Sequence, residues 1–99
     1  MLEKEDILQF LASKKDELFT QFQLDKIGLF GSFSSNKNTV ESDIDLIVEF
    51  KPNTKNIHEK KLQLRQLISN KFDRDVDICS ENYIKPYFKS TILKTVIYV

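Results

Sequence analysis

Residues 28–50 read GLFGSFSSNKNTVESDIDLIVEF. Gly31-Ser32 ends a short apolar run, ten residues intervene, and Asp43-Ile44-Asp45 opens a stretch that alternates through residue 50. Period-two alternation marks a strand with one face on a core. Ile44, Leu46, Val48 and Phe50 fall on one side; Asp43, Asp45, Ile47 and Glu49 fall on the other. Aspartate is disfavoured in strands, so two on one face of a strand call for a reason. Side chains at i and i+2 lie roughly 6.6 Å apart, which projects two carboxylates side by side. Such neighbours resist joint ionisation unless a cation lies between them. Mg²⁺ takes oxygen ligands completed by water and phosphate, and two such ions about 3.5–4 Å apart suit in-line displacement at phosphorus. Gly31-Ser32 supplies the complement. Glycine lets backbone approach a phosphate, the following amides point at its oxygens, and the Ser32 hydroxyl adds a donor. A short helix after Ser32 would contribute its positive end.

Working outward, residues 3–22 carry Ile7, Leu8, Leu11, Leu18, Phe19 and Phe22 near helical spacing. Residues 26–30 are predicted as a strand, 31–42 as a polar connection, 43–50 as the alternating strand and 51–55, with Pro52, as a turn. Residues 56–72 read as a helix with Ile57, Leu64, Leu67, Ile68 and Phe72 inward. Residues 73–79 read as a third strand, with Val76 and Ile78 on one face and Asp75, Asp77 and Cys79 on the other. Pro86 suits the first turn of a last helix to residue 95, and 96–99 form an apolar tail. The expected fold is α+β: a small mixed sheet with helices mainly on one face.

Composition bounds the remaining choices. At 99 residues the expectation is a single domain, 1–99, with a modest core. Fifteen basic and fifteen acidic side chains cancel, which disfavours direct nucleic-acid binding. One cysteine excludes an internal disulfide and a multi-cysteine zinc site. No membrane span or signal peptide is expected, and the cytoplasm is the predicted location. His58 reads as a solvated helix residue and Cys79 as a small buried one. Lys51, Lys55, Lys60, Lys61 and Arg65 read as a solvated basic face, with contact to nucleotide or an acidic partner as the sharper alternative. Tyr83, Tyr87, Phe88 and Tyr98 crowd the C-terminal third, where core and partner surface both draw on aromatics.

Gly31-Ser32, ten residues and Asp43-x-Asp45 together resemble the nucleotidyltransferase signature of the DNA polymerase β superfamily. With RDVDIC at residues 74–79 and a C-terminal VIYV, the chain resembles the minimal nucleotidyltransferase (MNT) antitoxins of HEPN–MNT toxin–antitoxin pairs. The resemblance implies Mg²⁺-dependent transfer of AMP from ATP to a tyrosine hydroxyl of a cognate HEPN ribonuclease toxin, which is thereby silenced. It assigns Gly31 and Ser32 to phosphate, Asp43 and Asp45 to two Mg²⁺ ions, and Asp77 to the third catalytic and metal-binding carboxylate. Where many relatives read R-A-R-G after the glycine-serine pair, this chain reads Phe33-Ser34-Ser35-Asn36, with only Lys37 nearby as a cation. That departure implies a weaker hold on triphosphate. Two further roles stay open on the residues: an antitoxin that neutralises by stoichiometric binding, and a nucleotidyltransferase with another acceptor.

Overall fold

The apolar stripe of residues 3–22 folds as two helices rather than one, α1 (Lys4–Ser13) and α2 (Lys15–Phe22). The computed structural model describes the backbone of residues 1–99 and every side chain except that of Asn82. A local contact accompanies the break at Lys14. The Ser13 hydroxyl donates to the Phe10 carbonyl at 2.9 Å beside the Lys14 amide at 3.1 Å, a back-bond of the kind that bends helices. The resulting bend lets Ile7 and Leu11 of α1 and Leu18 and Phe22 of α2 all reach the interior. At the start of α1, the Glu3 amide donates to Asp6 Oδ2 at 2.9 Å as part of a capping box.

β1 (Leu24–Phe30) leads through a one-turn helix, α3 (Gly31–Ser34), to β2 (Ile44–Phe50), which runs antiparallel to β1. Helix α4 (Ile57–Phe72) then crosses over and returns the chain to β3 (Val76–Ser80), which lies parallel to β2, as a parallel pair requires. A 3-10 turn at Glu81–Tyr83 leads to α5 (Pro86–Thr95), with proline in its first turn. The tail expected after it is a strand, β4 (Ile97–Tyr98), paired antiparallel with β1. The sheet order is β3-β2-β1-β4, so the α+β class and the mixed sheet are as expected.

Gly28 makes room for that last strand. A Cβ on Gly28 would lie 2.7 Å from Val96 Cγ2 and 2.9 Å from Tyr98 Cδ1. With glycine there, Gly28 pairs with Tyr98, and the Val99 amide donates to the Ile27 carbonyl at 3.1 Å.

The core lies between one sheet face and three helices. Ile27, Leu29, Ile44, Leu46, Val48 and Val76 meet Ile7, Leu11, Leu18, Phe22, Leu64 and Ile68. Each such side chain stabilises by about 1.5–3 kcal/mol when fully buried, enough together to fix which face of β2 turns inward. The opposite face is not wholly polar. Ile47 is fully buried there, in register with Gly28 and Cys79, and that apolar centre lies two residues along the strand from the Asp45–Asp77 pair. Among the described residues no helix is long and apolar enough to cross a membrane.

Candidate active site

At the end of β1 the chain turns sharply at Gly31, whose φ is +77°, into the one-turn helix α3 (Gly31–Ser34). Glycine takes that conformation without steric cost. A second reason lies across the sheet: a Cβ on Gly31 would collide with the Asp45 carboxylate. The opening of α3 is therefore laid directly against that side chain. The expected short helix is present and begins at Gly31, before Ser32 rather than after it. Its first amides are of the kind a helix leaves without intrahelical acceptors.

Phe33 anchors α3. Its ring is fully buried in the core, so this position serves packing. Ser34 Oγ donates to the Gly31 carbonyl at 3.0 Å, and the Lys37 amide donates to the Ser32 carbonyl at 2.8 Å. Ser32 is partly exposed and Lys37 exposed.

Asp45 stands on β2 directly opposite Asp77 on β3, and opposite Phe30 at the end of β1. Paired strands lie about 4.8 Å apart, so the Asp45 and Asp77 backbones are immediate neighbours. Asp43 is placed differently from the expectation. β2 begins at Ile44, leaving Asp43 one residue outside the strand, exposed, after a turn over residues 39–42. The strand geometry therefore reaches Asp43 only through its peptide link to Ile44, the first residue of β2. Asp75 likewise precedes β3; its carbonyl accepts the Ile44 amide at 2.9 Å.

The electrostatics tie the three carboxylates together. Partial burial, then the charges of Asp77 and Asp43, push the Asp45 carboxyl from 3.8 up to about 6. An Asp45 anion next to two others is the arrangement a divalent cation relieves. Among the described residues, no three acidic, histidine or cysteine side chains close into a finished metal cage. An oxygen-only set of this kind suits Mg²⁺, which keeps waters and shares its shell with phosphate.

The other candidates fall outside this group. Burial pushes the Cys79 thiol up, and Asp77 adds to the effect, so it is a poor nucleophile; it is half-buried. His58 is exposed. Lys51, Lys55 and Arg65 are exposed, while Lys60 donates to the Lys55 carbonyl, at 2.6 Å. Tyr83, Tyr87 and Phe88 are 78%, 67% and 51% exposed, so these aromatics of the C-terminal third are surface. The Tyr98 hydroxyl donates to Glu81 Oε1 at 3.3 Å.

Nothing in the residues flanking Arg74 marks it for a role. Its Nη1 donates to the Ser42 carbonyl at 2.9 Å, next to Asp43, and its guanidinium carbon lies 5.6 Å from the centre of the Phe33 ring. An arginine just before a strand carries no local signal for that reach.

The sequence pattern of the nucleotidyltransferase domain matches residues 7–99. The chain belongs to the nucleotidyltransferase domain family. A Methanocaldococcus jannaschii relative, named for protein adenylyltransferase activity, is 33% identical over 95% of each chain. The protein adenylyltransferase MntA of Thermococcus cleftensis is 29% identical over 100% of this chain and 98% of its own. Among solved structures, a minimal nucleotidyltransferase superposes with a TM-score of 0.79 at 21% identity, covering 97% of this chain and 95% of that one. A toxin–antitoxin complex with AMP-PNP gives 0.68 at 25% identity, over 87% of this chain and 69% of that one. An MNT antitoxin with a tri-AMPylated HEPN toxin from Shewanella oneidensis gives 0.62 at 24% identity, over 91% and 69%, a likeness of fold. This nucleotidyltransferase domain thus shares its overall fold with those solved structures.

Proposed function

We propose that this chain is a Mg²⁺-dependent protein adenylyltransferase acting in the cytoplasm as the antitoxin of a HEPN toxin. It transfers AMP from ATP to a tyrosine hydroxyl of that partner. The observation that carries the reading is the contact of Gly31 with Asp45, with Asp77 opposite on β3. A turn suited to phosphate and a carboxylate group suited to a cation meet at one point. The adenylyltransferase names of full-length relatives, and the toxin and AMP-PNP in a structural neighbour, support the acceptor and the co-substrate.

Asp43, Asp45 and Asp77 would hold Mg²⁺. When bound, the ion neutralises the triphosphate and polarises its phosphoryl oxygens. The chain's own residues do the rest. Gly31 admits the phosphates to the backbone, and the Ser32 hydroxyl donates to a phosphate oxygen. Asp77 orients the tyrosine hydroxyl and takes its proton as the oxygen bonds to the α-phosphorus. The bond from that phosphorus to the bridging oxygen breaks, and pyrophosphate leaves with the electron pair. Holding these groups in line accounts for most of the acceleration.

The test is to purify the chain with its cognate partner and weigh both intact after incubation with Mg²⁺ and ATP. The partner should gain whole AMP units, and Asp43→Asn with Asp45→Asn should abolish the gain while leaving the melting temperature equal or higher. The exposed Tyr83, Tyr87 and Phe88 favour a second reading, neutralisation by contact alone. Protection of cells by the double variant at matched expression would establish that reading instead.

A further inference from the structure

We infer that Arg74 is the positioning residue that sets Asp43 against the rest of the site, an inference that rests on the metal- and nucleotide-binding role proposed above. The need for such a residue follows from the chain itself. Residues 35–43 include no buried side chain, and Asp43 precedes the first residue of β2. On its C-terminal side Asp43 is held through Ile44, which is fully buried and donates its amide to the Asp75 carbonyl at 2.9 Å; on its N-terminal side hydrophobic packing holds nothing, and polar ties must.

Most of those ties are local. The Thr39 amide donates to Ser42 Oγ at 2.8 Å, the Ser42 amide to the Thr39 carbonyl at 3.2 Å, and the Glu41 amide to Thr39 Oγ1 at 3.2 Å. They shape the turn without fixing where it sits. Asn38 Nδ2 donates to the Leu2 carbonyl at 3.1 Å, which moors the far end of the segment to the N-terminus.

Arg74 moors the near end, and from the site side. It stands two residues before β3, the strand of Asp77. Its Nη1 donates to the Ser42 carbonyl at 2.9 Å and reaches the Thr39 carbonyl at 3.5 Å, closing both ends of the turn. Its guanidinium carbon is 5.6 Å from the centre of the buried Phe33 ring, within cation–π range, and Phe33 belongs to the helix that starts at Gly31. One side chain thus links the Asp77 strand, the Asp43 turn and the Gly31 helix. A planar fork with a stacking face makes both contacts together; an ammonium does not.

Groups that orient metal-binding side chains without touching the metal typically contribute 10–100-fold in affinity or activity. Arg74→Ala should raise the Mg²⁺ concentration for half-maximal AMP transfer by about that factor. It should also weaken Mg·ATP binding in calorimetry and speed amide exchange at Glu41 and Ser42. Arg74→Lys should fall short of wild type on all three, and added ethylguanidinium should partly rescue Arg74→Ala. If Arg74→Ala does not fold, Arg74→Lys carries the same measurements. Wild-type Mg²⁺ dependence in a folded Arg74→Ala or Arg74→Lys protein overturns the inference. If wild type itself transfers no AMP, the adenylyltransferase reading fails by itself, and calorimetry with exchange at residues 41 and 42 still decides the role of Arg74.

Discussion

The backbone of Gly31 lies so close to the Asp45 carboxylate that no side chain fits between them. Two demands meet at this point. The φ of +77° favours glycine, and the carboxylate occupies the space a methyl group would take.

Gly31→Ala should therefore fail twice. A non-glycine residue in this backbone region costs about 1–3 kcal/mol. In a domain of this size each kcal/mol lowers the melting temperature by roughly 4–8 °C. The methyl also displaces Asp45, so AMP transfer should fall further than the lost stability explains. Thermal melts and transfer rates, measured on the fraction that is folded, separate the two effects. Wild-type activity in this variant would mean that the close approach is incidental.

Asp45 also makes stability depend on pH. Its folded pKa of about 6 lies above the ordinary 3.8. Between those values the folded chain binds more protons at this group than the unfolded chain, so the contribution of Asp45 to stability falls as pH rises through that window. It is most favourable below the lower value and flat above the upper one. Without metal, the melting-temperature advantage of Asp45→Asn over wild type should grow from about pH 4 to pH 6 and then level off. Saturating Mg²⁺ should erase it. An advantage that shrinks with rising pH would contradict the electrostatic account of the three carboxylates.

Gly28→Ala tests the docking of β4. The added methyl meets Val96 and Tyr98 at less than van der Waals distance. Overpacking of this kind usually costs about 1–3 kcal/mol. The Val99 amide, which donates to the Ile27 carbonyl, should lose protection from exchange before the core does. Equal loss of protection everywhere would show instead that β4 is integral to global stability.

Asp77→Asn separates binding from transfer. With Asp43 and Asp45 intact to hold the metal, Mg·ATP binding should weaken less than the transfer rate, which falls by about 10²–10⁴, the usual contribution of a positioned base. In cells the variant should no longer protect against the toxin. Calorimetry showing loss of nucleotide binding would assign Asp77 to the metal alone.

Much of this site is local and therefore legible in the residues. The alternation of β2 and the helical spacing of α4 need no knowledge of partners, and the distance from Gly31-Ser32 to Asp43 is fixed by the chain. What escapes is set by contacts across the fold. The bend at Lys14 coincides with the Ser13 hydroxyl joining the Lys14 amide on the Phe10 carbonyl, with no glycine or proline to mark it. β4 has two residues, too few for periodicity, and its signal is the β-branched and aromatic character of VIYV alone. Phe33 reads as a gap in a cationic motif until the core it fills is seen. Arg74 acts on a carbonyl 32 residues away. The end of β2 at Ile44, which leaves Asp43 outside, follows from pairing with β3 rather than from the alternation.

The sheet ends at β3, and Asp77 stands on that rim. An acceptor hydroxyl borne by a folded protein can come alongside from the border of the sheet, bringing its own scaffold with it. The encounter of two folded bodies in the right orientation then becomes a step of the reaction, ahead of the transfer itself. Viscosity, surface charge and partner concentration bear on that first step, as they do on any protein–protein encounter.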